Sequence, residues 1–142
     1  MQDLRTKLIE EKKEQLGKLC LKFTNEFRQK ERRLPLKWEE KIVKICQDHS
    51  QNMALGKVKL GHSGFSQRVK LVKEKTPVSN SGENVAYCDD LELEELAKKV
   101  VQGWIESPGH RKNLLGDYTH CTIGVFKTFS DRWYFTQMFI RP

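Results

Sequence analysis

The stretch that decides the fold is Trp104-Ile105-Glu106-Ser107-Pro108-Gly109-His110-Arg111-Lys112-Asn113-Leu114-Leu115. Before it, apolar residues recur at the spacing of one helix face: Leu93, Leu96, Ala97, Val100, Val101 and Trp104. Because proline cannot continue a helix, Ser107-Pro108-Gly109 predicts that this helix ends there. His110 follows in a turn, where a side chain can be presented to solvent. The stretch therefore joins a core-forming helix, with Trp104 in the core, to a candidate functional residue.

Downstream, the apolar runs 122–126 and 133–139 flank a polar turn at Ser130-Asp131 and predict a β-hairpin that buries Trp133. Upstream, residues 84–87 read as a short strand, and Asp89 or Asp90 is expected to cap the helix that leads to Trp104.

The first half of the chain is predicted to be mainly helical. Residues 1–16 read as a charged helical extension that can continue through Phe27, and the pattern breaks before Pro35. A second helix is predicted over about 38–55, and 56–81 is irregular apart from a possible short helix near 65–72. Helices on both sides of a small antiparallel sheet indicate an α+β layered domain, 17–142, preceded by the extension 1–16.

Length and composition fit a single globular domain. The chain has 142 residues, 37% hydrophobic and 32% charged. Its first residues lack the apolar stretch of a secretory signal, so we expect an intracellular protein, or a secreted one if a leader was removed.

The four cysteines, Cys20, Cys46, Cys88 and Cys121, are widely spaced and include no CxxC pair. A zinc knuckle is therefore not expected. Four free thiols are favoured over disulfides, in agreement with a reducing compartment.

Charge is spread unevenly over a chain with a net charge of +7. Residues 56–75 carry six cations and one anion, whereas 83–95 carry six anions and no cation. The basic stretch is either a solvated surface or a site for phosphates and anionic lipid headgroups. Aromatic residues are not interleaved with the cations, so nucleic-acid binding is not expected. The candidate lipid- or anion-binding residues are Lys57, Lys59, Arg68, Lys70 and Lys73.

Histidines and carboxylates on separate turns form the other candidate site. His62 lies in a glycine-flanked loop, Glu83 lies where a loop meets a strand, and Glu106 closes a helix four residues before His110. If they converge, such side chains can hold a divalent metal such as zinc or transfer protons. No pair has a local metal-ligand spacing, so from the residues alone a chance arrangement remains the alternative.

The remaining polar residues of these turns have structural interpretations. His49 lies on an apolar helix face, which is typical of a hydrogen-bonded core histidine. Asn84 is expected to tie a loop through its amide. An ion pair with the Glu83 region, or a surface role, is expected for Arg111.

Five motifs in order resemble those of the CAP superfamily (cysteine-rich secretory, antigen-five and pathogenesis-related proteins), in its short form common in bacteria and protists. The resemblance covers about residues 19–140. The motifs are 61–65 with Arg68, 82–86, 104–115, 123–125 and 134–139.

The resemblance implies a three-layer α-β-α sandwich with a cleft that holds two histidines and two acidic residues. By motif, these are His62, His110 and Glu83, with Glu106 as the candidate for the second acid, a position that varies in short forms. It also implies roles in sterol or lipid binding, divalent-metal binding and contacts with proteins.

Two classes of function follow. The first is a non-enzymatic binding or structural module that docks on a protein assembly or an anionic membrane. The alternative is a metal-dependent hydrolase or protease that uses His62, His110 and Glu83 to activate water.

Overall fold

The computed structural model describes residues 3–142, which form five α-helices, one short 3-10 helix (Glu40–Ile42) and four strands. The helices are α1 (Leu4–Lys30), α2 (Val43–Ala54), α3 (Phe65–Lys73), α4 (Leu93–Glu106) and α5 (Pro108–Leu114). The strands are β1 (Lys37–Trp38), β2 (Asn80–Asp89), β3 (His120–Lys127) and β4 (Arg132–Arg141).

The four strands form one sheet in the order β1-β3-β4-β2. β3 and β4 are the predicted hairpin, and β2 pairs antiparallel with β4 from Asn80 to Asp89. β1 pairs with β3 in parallel, so the sheet is mixed at one edge, where only antiparallel strands were expected. At the hairpin turn Asp131 has a φ of 62°, a left-handed conformation that aspartate tolerates better than most residues.

Helices cover both faces of this sheet. α1 and α4 pack together over one face and enclose the larger apolar cluster, which includes Trp104 and Trp133, each 2% exposed. α2 lies over the other face with α3 beside it, around a smaller cluster that includes Ile42 and Val72. The predicted three-layer α-β-α sandwich is confirmed, as is the core position of both tryptophans.

α1 is one continuous helix of 27 residues that begins at the side-chain cap of Asp3. It crosses the predicted boundary between residues 16 and 17 without a break. Burial nevertheless changes there: Leu16 is fully buried, whereas most of the preceding helical residues are exposed. The division into an extension, 1–16, and a domain, 17–142, stays a prediction, and residues 1 and 2 of that extension lie outside the described residues.

Three local expectations are corrected. The second helix begins at Val43, not near 38, because Lys37–Trp38 pairs with β3 before the helix starts. α4 is capped by Glu92, since β2 continues through Asp89. Pro108 ends one helix and also opens α5, since its fixed φ suits the first position of a helix.

The outer edge of β2 is closed by side chains. Alternate carbonyls that face away from β4 each accept a hydrogen bond from a neighbouring residue, so their polarity is satisfied. The pairs are Tyr118 Oη to Ser81 O (3.2 Å), Asn113 Nδ2 to Glu83 O (3.0 Å) and Trp104 Nε1 to Val85 O (3.0 Å).

Candidate functional site

Glu83, on β2, is the buried anion of the site. The residue is 4% exposed, and its carboxylate accepts hydrogen bonds from Arg68 and His62. Because an unpaired buried carboxylate would be strongly unfavourable, its cationic partner explains why it can remain charged at this depth.

The partner is Arg68 of α3, which binds both carboxylate oxygens. Nε donates to Oε2 and Nη2 donates to Oε1, each over 2.7 Å, and the remaining Nη1 donates to Ser63 O over 2.8 Å. This two-pronged geometry is the strongest form of an arginine–carboxylate contact. Arg68 therefore fixes the loop 61–64 to β2.

Two sequence predictions about cations concern this ion pair. Arg68 was grouped with the surface lysines, but it is 8% exposed and its guanidinium faces Glu83. Of the two roles expected for Arg111, an ion pair with the Glu83 region or a surface position, the structure shows the surface position: the residue is exposed and donates to Ile105 O at 3.4 Å.

His49 is a core histidine, as predicted. It is 3% exposed; Nε2 lies 2.8 Å from Gly61 O, and Nδ1 lies 3.1 Å from Arg68 Nη1. A carbonyl only accepts and a guanidinium only donates, so His49 is neutral with its proton on Nε2. Burial, assisted by the charge of Arg68, lowers the pKa of His49.

His62 lies at the surface end of the same network. Its side chain is 51% exposed, and Nδ1 lies 2.9 Å from Glu83 Oε1. Since the carboxylate accepts, Nδ1 carries a proton. A ring held in this way presents Nε2 outward, which is the usual arrangement of a histidine oriented by a carboxylate for metal binding.

His110, in the first turn of α5, is the second imidazole of the site and is half-buried. Its Nδ1 lies 2.9 Å from Ser107 Oγ, and its carbonyl accepts from Asn84 Nδ2 at 3.3 Å. Burial lowers the pKa of His110, and the neighbouring charge of His62 lowers it further. Asn84 and Asn113 connect His110 to Glu83, since Asn113 donates to Glu83 O and to Asn84 Oδ1; we call His62, Arg68, Glu83 and His110 the histidine site.

Glu106 contributes nothing to this network. It is the exposed last residue of α4 and accepts a hydrogen bond from Gln102 Nε2 over 3.2 Å. The second acidic residue implied by the resemblance is thus not brought to Glu83.

Side-chain amides connect the residues of the site by hydrogen bonds, and only Asn84 among them was expected from the sequence. Asn84 donates to His110 O and to Gln137 Oε1, which confirms its role in tying a loop. Asn113 donates to Glu83 O and Asn84 Oδ1, each at 3.0 Å. Asn113 and Gln137 both fall within the quoted motifs, which was the available signal.

The side chains of the histidine site could provide two histidine ligands to a metal, but not three or more protein ligands. Both oxygens of Glu83 are engaged by Arg68 and His62, so the exposed imidazole of His62 and the half-buried imidazole of His110 are the groups that could bind a metal. Within residues 3–142, no cluster of three or more histidine, cysteine, aspartate or glutamate side chains is arranged to hold a metal ion.

The basic stretch forms an exposed surface around α3. Lys57, Lys59, Lys70 and Lys73 are all exposed, and we call them the basic surface. Three leucines in the same part of the sequence are also exposed: Leu55 (51%), Leu60 (45%) and Leu71 (43%).

The four cysteines are free thiols in the structure, as the sequence favoured. In the described part of the chain, no helix has both the length and the apolar character needed to cross a membrane.

The fold and the histidine site define a three-layer α-β-α domain with two imidazoles held near a buried arginine–glutamate pair. The chain belongs to the cysteine-rich secretory protein (CAP) family, whose sequence model matches residues 21–139.

Two proteins from Bacillus subtilis (strain 168) are similar to this chain in sequence. An uncharacterized membrane protein, YlbC, is 33% identical over 132 residues, which is 87% of this chain and 34% of that protein. An uncharacterized protein, YkwD, is 30% identical over 127 residues, covering 87% of this chain and 46% of that protein. The chain thus spans about a third to a half of these relatives' length.

Solved structures share the fold. An extracellular protein from Bacillus anthracis that contains an SCP domain superposes with a TM-score of 0.71 and 26% identity, over 92% of this chain and 41% of that one. An outer surface protein from Borrelia burgdorferi gives a TM-score of 0.71 at 19% identity, over 87% of this chain and 90% of that one, and supports the fold alone.

Proposed function

We propose that the chain is a non-enzymatic binding module whose histidine site holds a divalent cation such as zinc between His62 and His110. The observation that carries the proposal is the Nδ1 contact of His62 with Glu83, because it orients the ring and directs Nε2 to solvent. Burial also lowers the pKa of His110, which favours the neutral imidazole that metal coordination requires.

The alternative, a metal-dependent hydrolase, is less well supported by this geometry. A catalytic zinc site usually has three protein ligands and a base near the bound water. Glu83 would have to serve in one of these roles, but Arg68 occupies both of its oxygens.

Zinc titration calorimetry on the whole chain tests the proposal. We expect one saturable site in the wild type and its loss in His62→Ala/His110→Ala. His120→Ala is the matched control, since its half-buried ring lies on β3 and bonds to Thr119. Equal binding by the double variant, or no saturable binding by the wild type, would exclude the metal site. Hydrolysis of peptide or ester substrates by the zinc-loaded wild type alone would favour the hydrolase.

A second candidate function, docking on an anionic membrane, is favoured by the basic surface. Exposed leucines among exposed lysines provide an apolar contact together with attraction to acidic headgroups. The test is co-sedimentation with vesicles containing phosphatidylglycerol. Lys57→Gln/Lys59→Gln/Lys73→Gln should reduce binding, whereas Lys7→Gln/Lys12→Gln/Lys22→Gln removes the same charge from exposed positions of α1 and should not. Equal losses would contradict docking through this surface.

The intracellular location and a protein partner stay predictions. One relative is named a membrane protein and one similar structure belongs to an extracellular protein, which supports the secreted alternative. Fractionation of cells that express the protein from its own gene distinguishes the two locations.

A further inference from the structure

A strongly cationic cavity lies away from the histidine site, where α1 ends and the segment after α5 enters β3. It is open to solvent, has a volume of about 950 Å³ and shares no residue with the histidine site or the basic surface. Five cationic side chains line it, together with His120, against one acidic side chain, Asp117. The cations are Arg28, Arg32, Arg33, Lys37 and Arg141.

Arg28 forms the buried base of this cavity. It is 3% exposed, and its hydrogen bonds all go to carbonyl oxygens: Nε donates to Leu34 O, and Nη1 donates to Leu114 O and Gly116 O. Its charge is thus buried without a carboxylate partner in the described chain. Burial lowers the pKa of Arg28, and the nearby charge of Arg33 also acts in this direction.

The Nη2 edge of the Arg28 guanidinium remains available to a ligand. Nη2 has no protein acceptor among the described residues. No buried side-chain nitrogen is left without a partner there, so Nη2 is reached by solvent. Since Arg28 lines the cavity, this atom can donate to a molecule within it.

The rim adds three cations without ion pairs. Arg32, Arg33 and Lys37 are exposed and form no salt bridge with described residues; the Nε of Arg33 donates to Leu115 O over 3.2 Å. Asp117 pairs with Arg141 at 2.8 Å, and its charge also raises the pKa of Arg28 against the effect of burial, so the three rim cations are the ones left without an ion pair. Cations concentrated on concave walls focus a positive potential into the cavity.

We propose that this cavity binds a phosphate group. A phosphate offers several acceptor oxygens to the arginine forks and carries the charge that the lining lacks. The hydrogen bonds of Arg28 to carbonyl oxygens hold its guanidinium in place before the ligand binds. Arg32, Arg33 and Lys37 would contact the bound phosphate from the rim. The phosphate is supplied either by a soluble phosphorylated compound or by a lipid headgroup.

Calorimetric titration with inorganic pyrophosphate at low ionic strength tests the soluble source. Arg32→Gln/Arg33→Gln/Lys37→Gln is expected to weaken binding by at least about tenfold, because it removes the rim donors. The matched control is Lys7→Gln/Lys12→Gln/Lys22→Gln, which removes the same charge from exposed positions of α1 outside the cavity and should leave the dissociation constant within about twofold of the wild type.

Vesicles test the lipid source with the same proteins. The phosphate is assigned to a lipid headgroup if the wild type binds phosphatidate vesicles but not phosphatidylcholine vesicles. The rim variant, and not the control variant, should lose this binding. Lys37→Glu, a single exposed substitution, should weaken binding in whichever arm is positive, and thermal unfolding verifies that each variant is folded. The proposal is overturned if wild-type protein binds neither probe, or if the rim and control variants lose affinity equally. These outcomes are independent of zinc binding at the histidine site.

Discussion

Two parallel hydrogen bonds, each of 2.7 Å, join the guanidinium of Arg68 to the carboxylate of Glu83, with side chains that are 9% and 2% exposed. One ion pair thereby connects α3 to the sheet. Through its other contacts, Arg68 also holds the loop that presents His62, and it sets the tautomer of His49. The position of the exposed imidazole therefore depends on a buried cation.

Replacing Arg68 by methionine should destabilise the fold by about 3–5 kcal/mol, because it leaves Glu83 buried without its partner. Urea denaturation measures this change. Arg68→Met/Glu83→Met should recover part of the loss, since no unpaired charge remains. Lys44→Met removes the exposed pair with Asp48 and should have no measurable effect. A loss in Arg68→Met no greater than in Lys44→Met would refute this reading of the ion pair.

Glu83→Gln should weaken zinc binding about 10- to 100-fold, since the outward orientation of His62 depends on its contact with the carboxylate. The control is Glu106→Gln, which changes an exposed glutamate outside the network and should leave the affinity unchanged. Calorimetry on both variants makes the comparison. If Glu106→Gln has the larger effect, the acidic residue implied by the family resemblance acts at the site after all.

Stability should fall as the pH drops through about 6.5, the ordinary histidine value. Burial lowers the pKa of His49 and of His110 in the folded state, so the unfolded chain binds more protons than the folded one in this range. The contribution is therefore complete above pH 6.5 and is lost as the pH falls toward the lower folded values.

Urea midpoints between pH 7.5 and 5 measure this dependence. His49→Gln/His110→Gln should show a shallower fall than the wild type, whatever its stability at pH 7.5. A slope equal to that of the wild type would show that other groups cause the fall.

Gly124→Ala should be strongly destabilising. A methyl group at this position on β3 would overlap the backbone of Cys46 and Gln47 in α2, which cannot move as a flexible side chain can. Gly103→Ala is the matched control, because open space surrounds that glycine and alanine stabilises a helix interior by about 0.5–1 kcal/mol. Thermal unfolding should shift in opposite directions for the two variants, and a common direction would contradict the close approach of α2 to the sheet.

Native protein should expose one thiol to a maleimide reagent. Cys20, Cys46 and Cys121 are fully buried, whereas Cys88 is only partly buried; burial raises the pKa of all four thiols, so access decides which one reacts. Mass spectrometry should find one adduct in native protein and four after unfolding in guanidinium. Cys88→Ser should give none in the native state, and labelling of that variant would mean that a buried thiol is reached.

The parts of the fold that follow from local periodicity were predictable. The face from Leu93 to Trp104 and the alternating runs of β3 and β4 identified the core helix and the hairpin, because burial imposes their periods on the sequence. The start of α2 was not predictable in this way. It depends on the pairing of Lys37 with His120, a contact between distant residues.

The histidines and Glu83 of the candidate site were predictable from the sequence, whereas the ion pair that joins Arg68 to Glu83 was not. His62, Glu83 and His110 do lie around one network. Arg68 was misplaced because five lysines surround it in the sequence and nothing in their number reveals burial. Its spacing from Val72, one helical turn away and also buried, was the signal that could have separated it from them.

The side chains that close β2 have a consequence for crowded surroundings. An open strand edge invites pairing with another chain, which leads to strand exchange and fibrous aggregates. Tyr118, Asn113 and Trp104 occupy the acceptors that a foreign strand would need. A strand from another copy of this domain would therefore have to displace these three side chains before it could pair along β2.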